Sequence, residues 1–388
     1  MFCILVKISI NQFIVSAKKE TNLSIGYFGG MDVLRFICAT GVIFHHATLT
    51  LKDKGVATHA ESIHRFSGSF FLDVFFIISG FLISLILMKE YETGTFSLKN
   101  FFMRRIIRIW PLYFLAVIVR IWLIPSINGM SPTMIKENLL YACTFSINFQ
   151  LLFNEVVKTY TILWSICIEE HIYLLLPFLL LLFKHKFRSV SYFLIATGFI
   201  SWLYFIGVPS KGNYSSAYFV SSSYFYYFGI GMLLACIQNG KFPGKKLEQT
   251  IFKPVTQAIV FLIFFGFVFN GWGSHRTLVS TLIITGLFGG YLVWASTQES
   301  FLFKLKPKLS RYMGNISYAM YVTHIITIGL AIAFFKKKEI HFSEAAFGWG
   351  LPILATVLCM VLSTILYYAF ERPILKLKKK FTTVKNKE

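Results

Sequence analysis

Apolar runs of roughly 18 to 24 residues recur from residue 31 to residue 370 with short polar breaks between them, each long enough as a helix to cross a hydrocarbon core about 30 Å thick. Taken in order they give candidate spans at 31–51, 69–88, 108–125, 161–183, 190–207, 217–237, 255–271, 277–296, 315–335 and 347–370, about ten helices in all. No stretch is left over for a soluble domain. With 56% hydrophobic and only 14% charged residues, the chain lies outside the composition of soluble domains. The expectation is an all-α, polytopic transmembrane helix bundle.

One apolar piece resists that count. Asn138 to Phe153, "NLLYACTFSINFQLLF", is short and carries two Asn and a Gln, so it reads as re-entrant or interfacial. Charge supports leaving it out. With ten spans and the N-terminus inside, about 26 of the 38 Lys and Arg fall in inside loops and about 10 outside, the sense of the positive-inside bias. An eleventh span would expose Lys304 to Arg311 and the tail "KLKKKFTTVKNK" on the outside. The lysines at 336 to 338 are the exception, outside in this topology. Both termini are then cytoplasmic. The chain divides into an extension at 1–26, cytoplasmic or interfacial and lacking a signal-peptide core, a membrane domain at 27–373, and a basic tail at 374–388.

A net charge of +21 raises the question of nucleic acid. The lysines sit in loops beside spans, where they set topology and meet anionic lipid, and no basic domain exists; nucleic acid is not an expected partner. Six cysteines are scattered singly and His and Glu show no ligand spacing, so neither a disulfide framework nor a metal site is expected.

Against this background the ionisable residues inside spans stand out, because such groups are costly in hydrocarbon and usually face a cavity. The first span reads "DVLRFICATGVIFHH". Eleven helical steps make three turns plus about 20°, so Arg35 and His46 share a face about 16 Å apart, while His45 points about 80° away. The plainer readings are that Arg35 snorkels with Asp32 as its ion-pair partner and that His46 only packs. In "SFFLDVFFIISGFLIS", Asp73 lies near the depth of His46 and is placed to accept its ring N–H. Ser79 and Gly80 open that helix to a close neighbour or a ligand. "WSICIEEHIYLLLP" puts Glu169 and Glu170 in mid-span; Glu169 is a second candidate partner for His46, or the pair is structural and neutralised by Arg120. Arg105 and Arg108, three apart in "RRIIRIWPLY", can fork onto phosphate oxygens or simply orient their helix. His324, with Ser317, Tyr318 and Tyr321 on the turns before it, and Glu371 in "AFERP" fit packing and capping equally well.

The motifs stand in one order: R-x10-H (Arg35, His46), "LDVFFIISGFLIS", "RRIIRIWPLY", "WSICIEEHIYLLLP", "ISYAMYVTHI" and "YYAFERP". Together, from about Tyr27 to Pro373, they resemble the acyltransferase 3 family of integral-membrane O-acyltransferases. The resemblance implies transfer of an acyl group, usually acetyl from cytoplasmic acetyl-CoA, to a hydroxyl of a surface or lipid-linked polysaccharide such as O-antigen or exopolysaccharide, in a bacterial inner membrane. It carries over Arg35 and His46 as essential, Arg105 and Arg108 as the paired-arginine element, and Trp164, Ser165, Glu169 and Glu170 as a W-S-x-x-x-E-E element; Tyr318, His324 and Glu371 fall in its later motifs as supporting residues. Two departures touch pocket shape: Phe71-Leu72 where small residues usually precede the aspartate, and His171 for a glutamine. No hydrolase-like domain follows the last helix, so the membrane core is expected to reach the acceptor itself.

The expected mechanism places donor phosphates at Arg35, Arg105 and Arg108 and has His46, tuned by Asp73 or Glu169, act as general base, with an acyl-histidine route left open. A proton-coupled transporter is the competing reading, since buried Arg, His and Glu suit that too. The acceptor, the acyl group and the oligomeric state are not legible.

Overall fold

The computed structural model describes residues 24–52, 61–153, 161–210, 215–240, 251–269, 278–337, 344–382 and 385–386. Among these residues there are twelve helices: α1 Gly29–Lys52, α2 Glu61–Glu92, α3 Leu98–Val117, α4 Pro132–Cys143, α5 Ile147–Phe153, α6 Trp164–Leu182, α7 Phe187–Phe205, α8 Phe225–Asn239, α9 Pro254–Phe269, α10 Leu278–Ala295, α11 Pro307–Lys337 and α12 Glu344–Leu366. α3 runs on through a π-helical turn, Ile118–Leu123, into Ile124–Ile127, and α12 through another, Tyr367–Glu371, into Arg372–Leu375. Each π turn carries a buried charged residue, Arg120 and Glu371 respectively. Strand structure among the described residues is a two-residue parallel pair, Ser24–Ile25 with Lys385–Asn386.

Ten of these helices stand where the sequence expects spans. Six described stretches are long and apolar enough to cross a membrane unaided. The others fall short for visible reasons. In α8 the expected start at residue 217 is taken up by 3-10 turns at Ser216–Tyr218 and Ser221–Tyr224, leaving 15 helical residues. α7 dilutes its apolar residues with serines and tyrosines, and α9 and α10 contribute apolar stretches of Pro254–Phe264 and Leu282–Ala295.

The doubtful segment forms the two short helices α4 and α5, neither long enough to span. The polar residues that marked it tie it in place. Gln150 Nε2 donates to Asn138 Oδ1 across the hairpin (2.7 Å), and Asn148 Nδ2 donates to the Phe219 carbonyl (3.0 Å) and to Ser221 Oγ (3.1 Å). Between them Phe145 takes φ 53°, costly for an aromatic residue; its ring stacks on Tyr113 with centroids 4.6 Å apart.

α1 and α2 form the spine. α2 packs along α8 and α1, and α1 along α11, with α12 outside both. Small residues allow these close approaches. Gly80 of α2 lies against the Phe228 carbonyl of α8, and Gly231 of α8 against the Ile77 carbonyl of α2. Ala39, Ala47, Ala331, Ala355 and Cys359 sit in the α1–α11–α12 seam. The outer face is inverted relative to a soluble helix: α12 exposes Ile353, Val357, Val361 and Ile365, one stripe at four-residue spacing, while burying Leu351, Ala355 and Cys359. Such a stripe is suited to lipid, which solvates apolar side chains.

Candidate active site: a cation-lined cavity beside two histidines

α1, α2, α3, α6 and α11 surround a cavity of about 510 Å³. At its basic end stand Arg35 from α1, Arg105 and Arg108 from α3, Arg311 from α11 and Lys378 from the turn after α12, with Asp32 and Glu169 as carboxylates on the same wall. The three arginines named by sequence therefore meet in one space. Arg35 is under the charges of Arg108, Asp32 and Glu169. Arg105 lies over the Tyr173 ring, 5.6 Å from its centroid.

Glu169 accepts from Tyr173 Oη (2.5 Å) and from the Ser79 hydroxyl. Ser79, read from sequence with Gly80 as an opening for a close neighbour or a ligand, thus bonds across α2 to α6, while Gly80 receives α8. Glu170 points differently and accepts from Trp110 Nε1 at 3.4 Å. Asp32 stands against Gly314, where any side chain would collide with it. Just before α1, Tyr27 carries Arg311 over its ring at 4.7 Å; burial first, and then the charge of Asp32, push its hydroxyl well above the usual tyrosine range.

Toward the other end the cavity wall reaches Ser165, Phe75 and Tyr321. Ser165 Oγ and Tyr321 Oη are 2.5 Å apart, and Tyr318 donates to the Ile109 carbonyl (2.9 Å). His46 is not on the cavity wall, which departs from the expectation that it shares one cavity with Arg35. It lies one layer beyond, half-buried, its ring centroid 4.8 Å from that of His324; His324 in turn packs against Tyr321 at 5.7 Å. The three turns between Arg35 and His46 outreach the opening, because the rings of Phe75 and Tyr321 stand at its far end.

Both histidines are oriented by their own helices. His46 Nδ1 is 3.0 Å from the Val42 carbonyl, and His324 Nδ1 2.6 Å from the Tyr321 carbonyl. A carbonyl only accepts, so each Nδ1 carries the proton and each Nε2 a lone pair. His324 is fully buried and its Nε2 has no hydrogen-bond partner. Neither carboxylate considered as a partner for His46 takes its ring N–H: Asp73, buried, is bonded by the Tyr227 hydroxyl, and Glu169 is engaged as above. The reason is local. The helix offers the ring N–H a backbone carbonyl of its own preceding turn, Val42 for His46 and Tyr321 for His324, so no carboxylate has to be desolvated for it. Arg120, a possible neutraliser of the glutamate pair, instead acts on Tyr321 and the two histidines.

A family model described as Acyltransferase domain matches residues 28–372. The chain belongs to the acyltransferase 3 family. Among its relatives, "Putative O-acetyltransferase SACOL0978" of Staphylococcus aureus strain COL is 26% identical over 341 residues, covering 81% of this chain and 53% of that protein. "O-acetyltransferase OatA" of S. aureus strain NCTC 8325 / PS 47 is 26% identical over 385 residues, covering 90% and 57%. The chain spans about half the length of the relatives it matches. No solved structure matches it.

The acyltransferase 3 motifs do not all reach the cavity. Of the W-S-x-x-x-E-E element, Ser165 and Glu169 line it, whereas Trp164 packs among Tyr218, Phe219 and Tyr224. His171, the departure from glutamine, is turned away: its Nδ1 lies 2.8 Å from Ser221 Oγ and its ring stacks on Phe149. The bulk of Phe71 is absorbed by Gly41, since its ring occupies the place a Cβ there would take. Glu371 is buried within the field of Arg108, with one carboxylate oxygen unpartnered. Among the described residues no group of three or more His, Cys, Asp or Glu is placed to hold a metal.

Sequence reading missed Tyr27, Tyr173, Arg311 and Lys378 as cavity residues. For Arg311 a signal existed: Arg311, Gly314, Tyr318 and Tyr321 follow helical spacing along one face of α11. For Lys378 there was none, because its place depends on where the tail folds back.

Proposed function

We propose that this protein is a membrane O-acetyltransferase that moves an acetyl group from acetyl-CoA to a hydroxyl of a polysaccharide or lipid-linked glycan. The observation that carries the reading is the cavity itself: its basic end offers charge-assisted hydrogen bonds to phosphates, and its far end closes on Phe75 and Tyr321, one layer short of the His46–His324 pair. The family membership and the printed names of the relatives support it.

In this reading the donor enters from the cytoplasm at Arg35, Arg105 and Arg108. Its thioester arm lies along the gap lined by Ser79, Ile109 and Tyr318, toward Ser165 and Tyr321. His46 Nε2 takes the proton from the acceptor hydroxyl as that oxygen attacks the thioester carbonyl. The C–S bond breaks, the acetyl–oxygen bond stays, and the proton passes to the departing thiolate, so free thiol and acetyl ester balance the donor and acceptor. The His324 ring, its centroid 4.8 Å from that of His46 and its Nε2 without a partner, is the neighbouring group that would steady His46 while the latter holds the proton. Tyr321, between cavity and histidines, controls the last step of the path. The chain then works in the bacterial cytoplasmic membrane with the basic end inside.

The test is acetyl transfer in membranes supplied with acetyl-labelled acetyl-CoA, followed by mass spectrometry of glycans from a deletion strain and its complemented parent. The expected result is label in glycan and a complement-dependent gain of about 42 Da, the mass of acetyl replacing a hydroxyl hydrogen. Absence of label from glycan, with solute uptake lost in the deletion strain, would establish the transporter reading instead.

A further inference from the structure

The cavity wall carries five cations, Arg35, Arg105, Arg108, Arg311 and Lys378, against two carboxylates, Asp32 and Glu169. Lys378 is the unexpected member, since it belongs to the basic tail, whose other lysines read as topology signals. It is held in place. The tail folds into a 3-10 turn, Lys376–Phe381, beneath α3, and Arg104 Nη1 donates to the Phe381 carbonyl at 2.8 Å. Arg104 is itself fixed by Glu90, each guanidinium nitrogen 2.8 Å from one carboxylate oxygen in a buried bidentate pair. Farther on, Lys385–Asn386 pairs with Ser24–Ile25.

The largest charges acting on Lys378 are those of four arginines, Arg108, Arg105, Arg104 and Arg35. Arg104 is paired with Glu90, and Arg35, Arg105 and Arg108 share Asp32, Glu169 and Glu371, so cations still outnumber carboxylates around the cavity. Fastening a half-buried ammonium among like charges is unfavourable unless a polyanion occupies the space. We propose that Lys378, carried by the Lys376–Phe381 turn, binds the 3′-phosphate of a 3′-phosphorylated nucleotide donor, a phosphate site separate from the Arg105–Arg108 fork. This rests on the acetyl-CoA reading above.

The chemistry selects that phosphate. The donor carries its thioester at one end and its 3′-phosphate at the other, so a thioester at Tyr321 leaves the 3′-phosphate at the mouth, where the tail turn lies. The monoester is close to a dianion at neutral pH, the densest charge on the molecule, and a compact ammonium with three donors suits it. Arg105 and Arg108, three apart on α3, suit the diphosphate.

Full-length protein in membranes is assayed with acetyl-CoA and with 3′-dephospho-acetyl-CoA, for the wild type, Lys378→Gln, Lys378→Arg and Lys380→Gln, an exposed lysine of the same turn as control. The wild type should show a KM about tenfold lower for acetyl-CoA than for the dephospho donor. Lys378→Gln should abolish that preference, Lys378→Arg restore most of it, and Lys380→Gln leave it intact. Equal loss on both donors in Lys378→Gln, or a wild type indifferent to the 3′-phosphate, overturns the proposal. Binding of adenosine 3′,5′-bisphosphate to the detergent-solubilised protein separates the two readings. Binding that depends on Lys378 without any acetyl transfer keeps this site and removes the acetyltransferase reading. Binding unaffected by Lys378→Gln removes the site.

Discussion

The two ends of one face of α1 hold their ionisable groups by opposite means. At Arg35 charges are crowded: four further cations and two carboxylates share a cavity, brought there by several different elements. At His46 the ring is set by the backbone of its own helix, and its neighbour is a second imidazole set the same way. The difference follows from what each end must carry. Cations can stay charged beside a cavity that admits water or a polyanionic ligand, whereas a base that must keep a free lone pair is better placed against neutral rings, away from carboxylates that would hold its proton.

That contrast can be broken by experiment, beginning with the largest effect. His46→Ala should lower acetyl transfer by about 10² to 10⁴-fold, the usual worth of a general base, with protein level and insertion unchanged by immunoblot. His45→Gln is its control: the His45 ring lies over Gly68, and its loss should leave activity near normal. A larger loss at His45 would reverse the assignment. Arg35→Gln should raise KM for acetyl-CoA by roughly 10- to 100-fold, the value of one or two charge-assisted hydrogen bonds, with a smaller change in kcat. If kcat alone falls, Arg35 does not belong to the donor end.

His324→Phe keeps a ring against His46 and removes the lone pair. It should lower kcat about tenfold and leave donor KM unchanged; an unchanged kcat would make His324 a packing residue. The smallest effect is expected for Asp73→Asn, which retains an oxygen for Tyr227. Transfer should change by less than about tenfold, with any cost appearing as roughly 1 kcal/mol in thermal unfolding in detergent. A loss equal to that of His46→Ala would show that Asp73 serves His46 in some other state of the protein.

Much of the bundle was legible because apolar runs and their breaks are local. All ten expected helices appear, and the segment set aside for its Asn and Gln residues forms two short helices tied by those same residues. Length was less legible where turn-forming residues meet apolar ones: the serines and tyrosines before α8 make 3-10 turns, which periodicity alone does not separate from helix. In the site, Arg35, Arg105, Arg108, Ser165, Glu169 and Tyr318, all singled out from sequence, line one cavity. Asp73, Glu170 and Trp164 were equally plausible from sequence, and they point elsewhere because neighbouring residues on a helix differ by about 100° and only packing decides which direction faces the cavity.

The sequence by itself determined that the chain is a helical membrane protein, that Arg35 and His46 share a face three turns apart, and that Arg105 and Arg108 lie three apart on one face of a helix, since composition and helical periodicity are properties of consecutive residues. Tertiary structure alone decided the partners. Glu169 goes to Ser79 and Tyr173, Asp73 to Tyr227, His324 to the side of His46, and Lys378 back beneath α3 through the Arg104–Phe381 bond. Apart from Glu169 with Tyr173, one turn apart on α6, those pairings join residues tens to hundreds of positions apart, and the physical reason they escape the sequence is that they depend on how helices cross and where small residues let them approach.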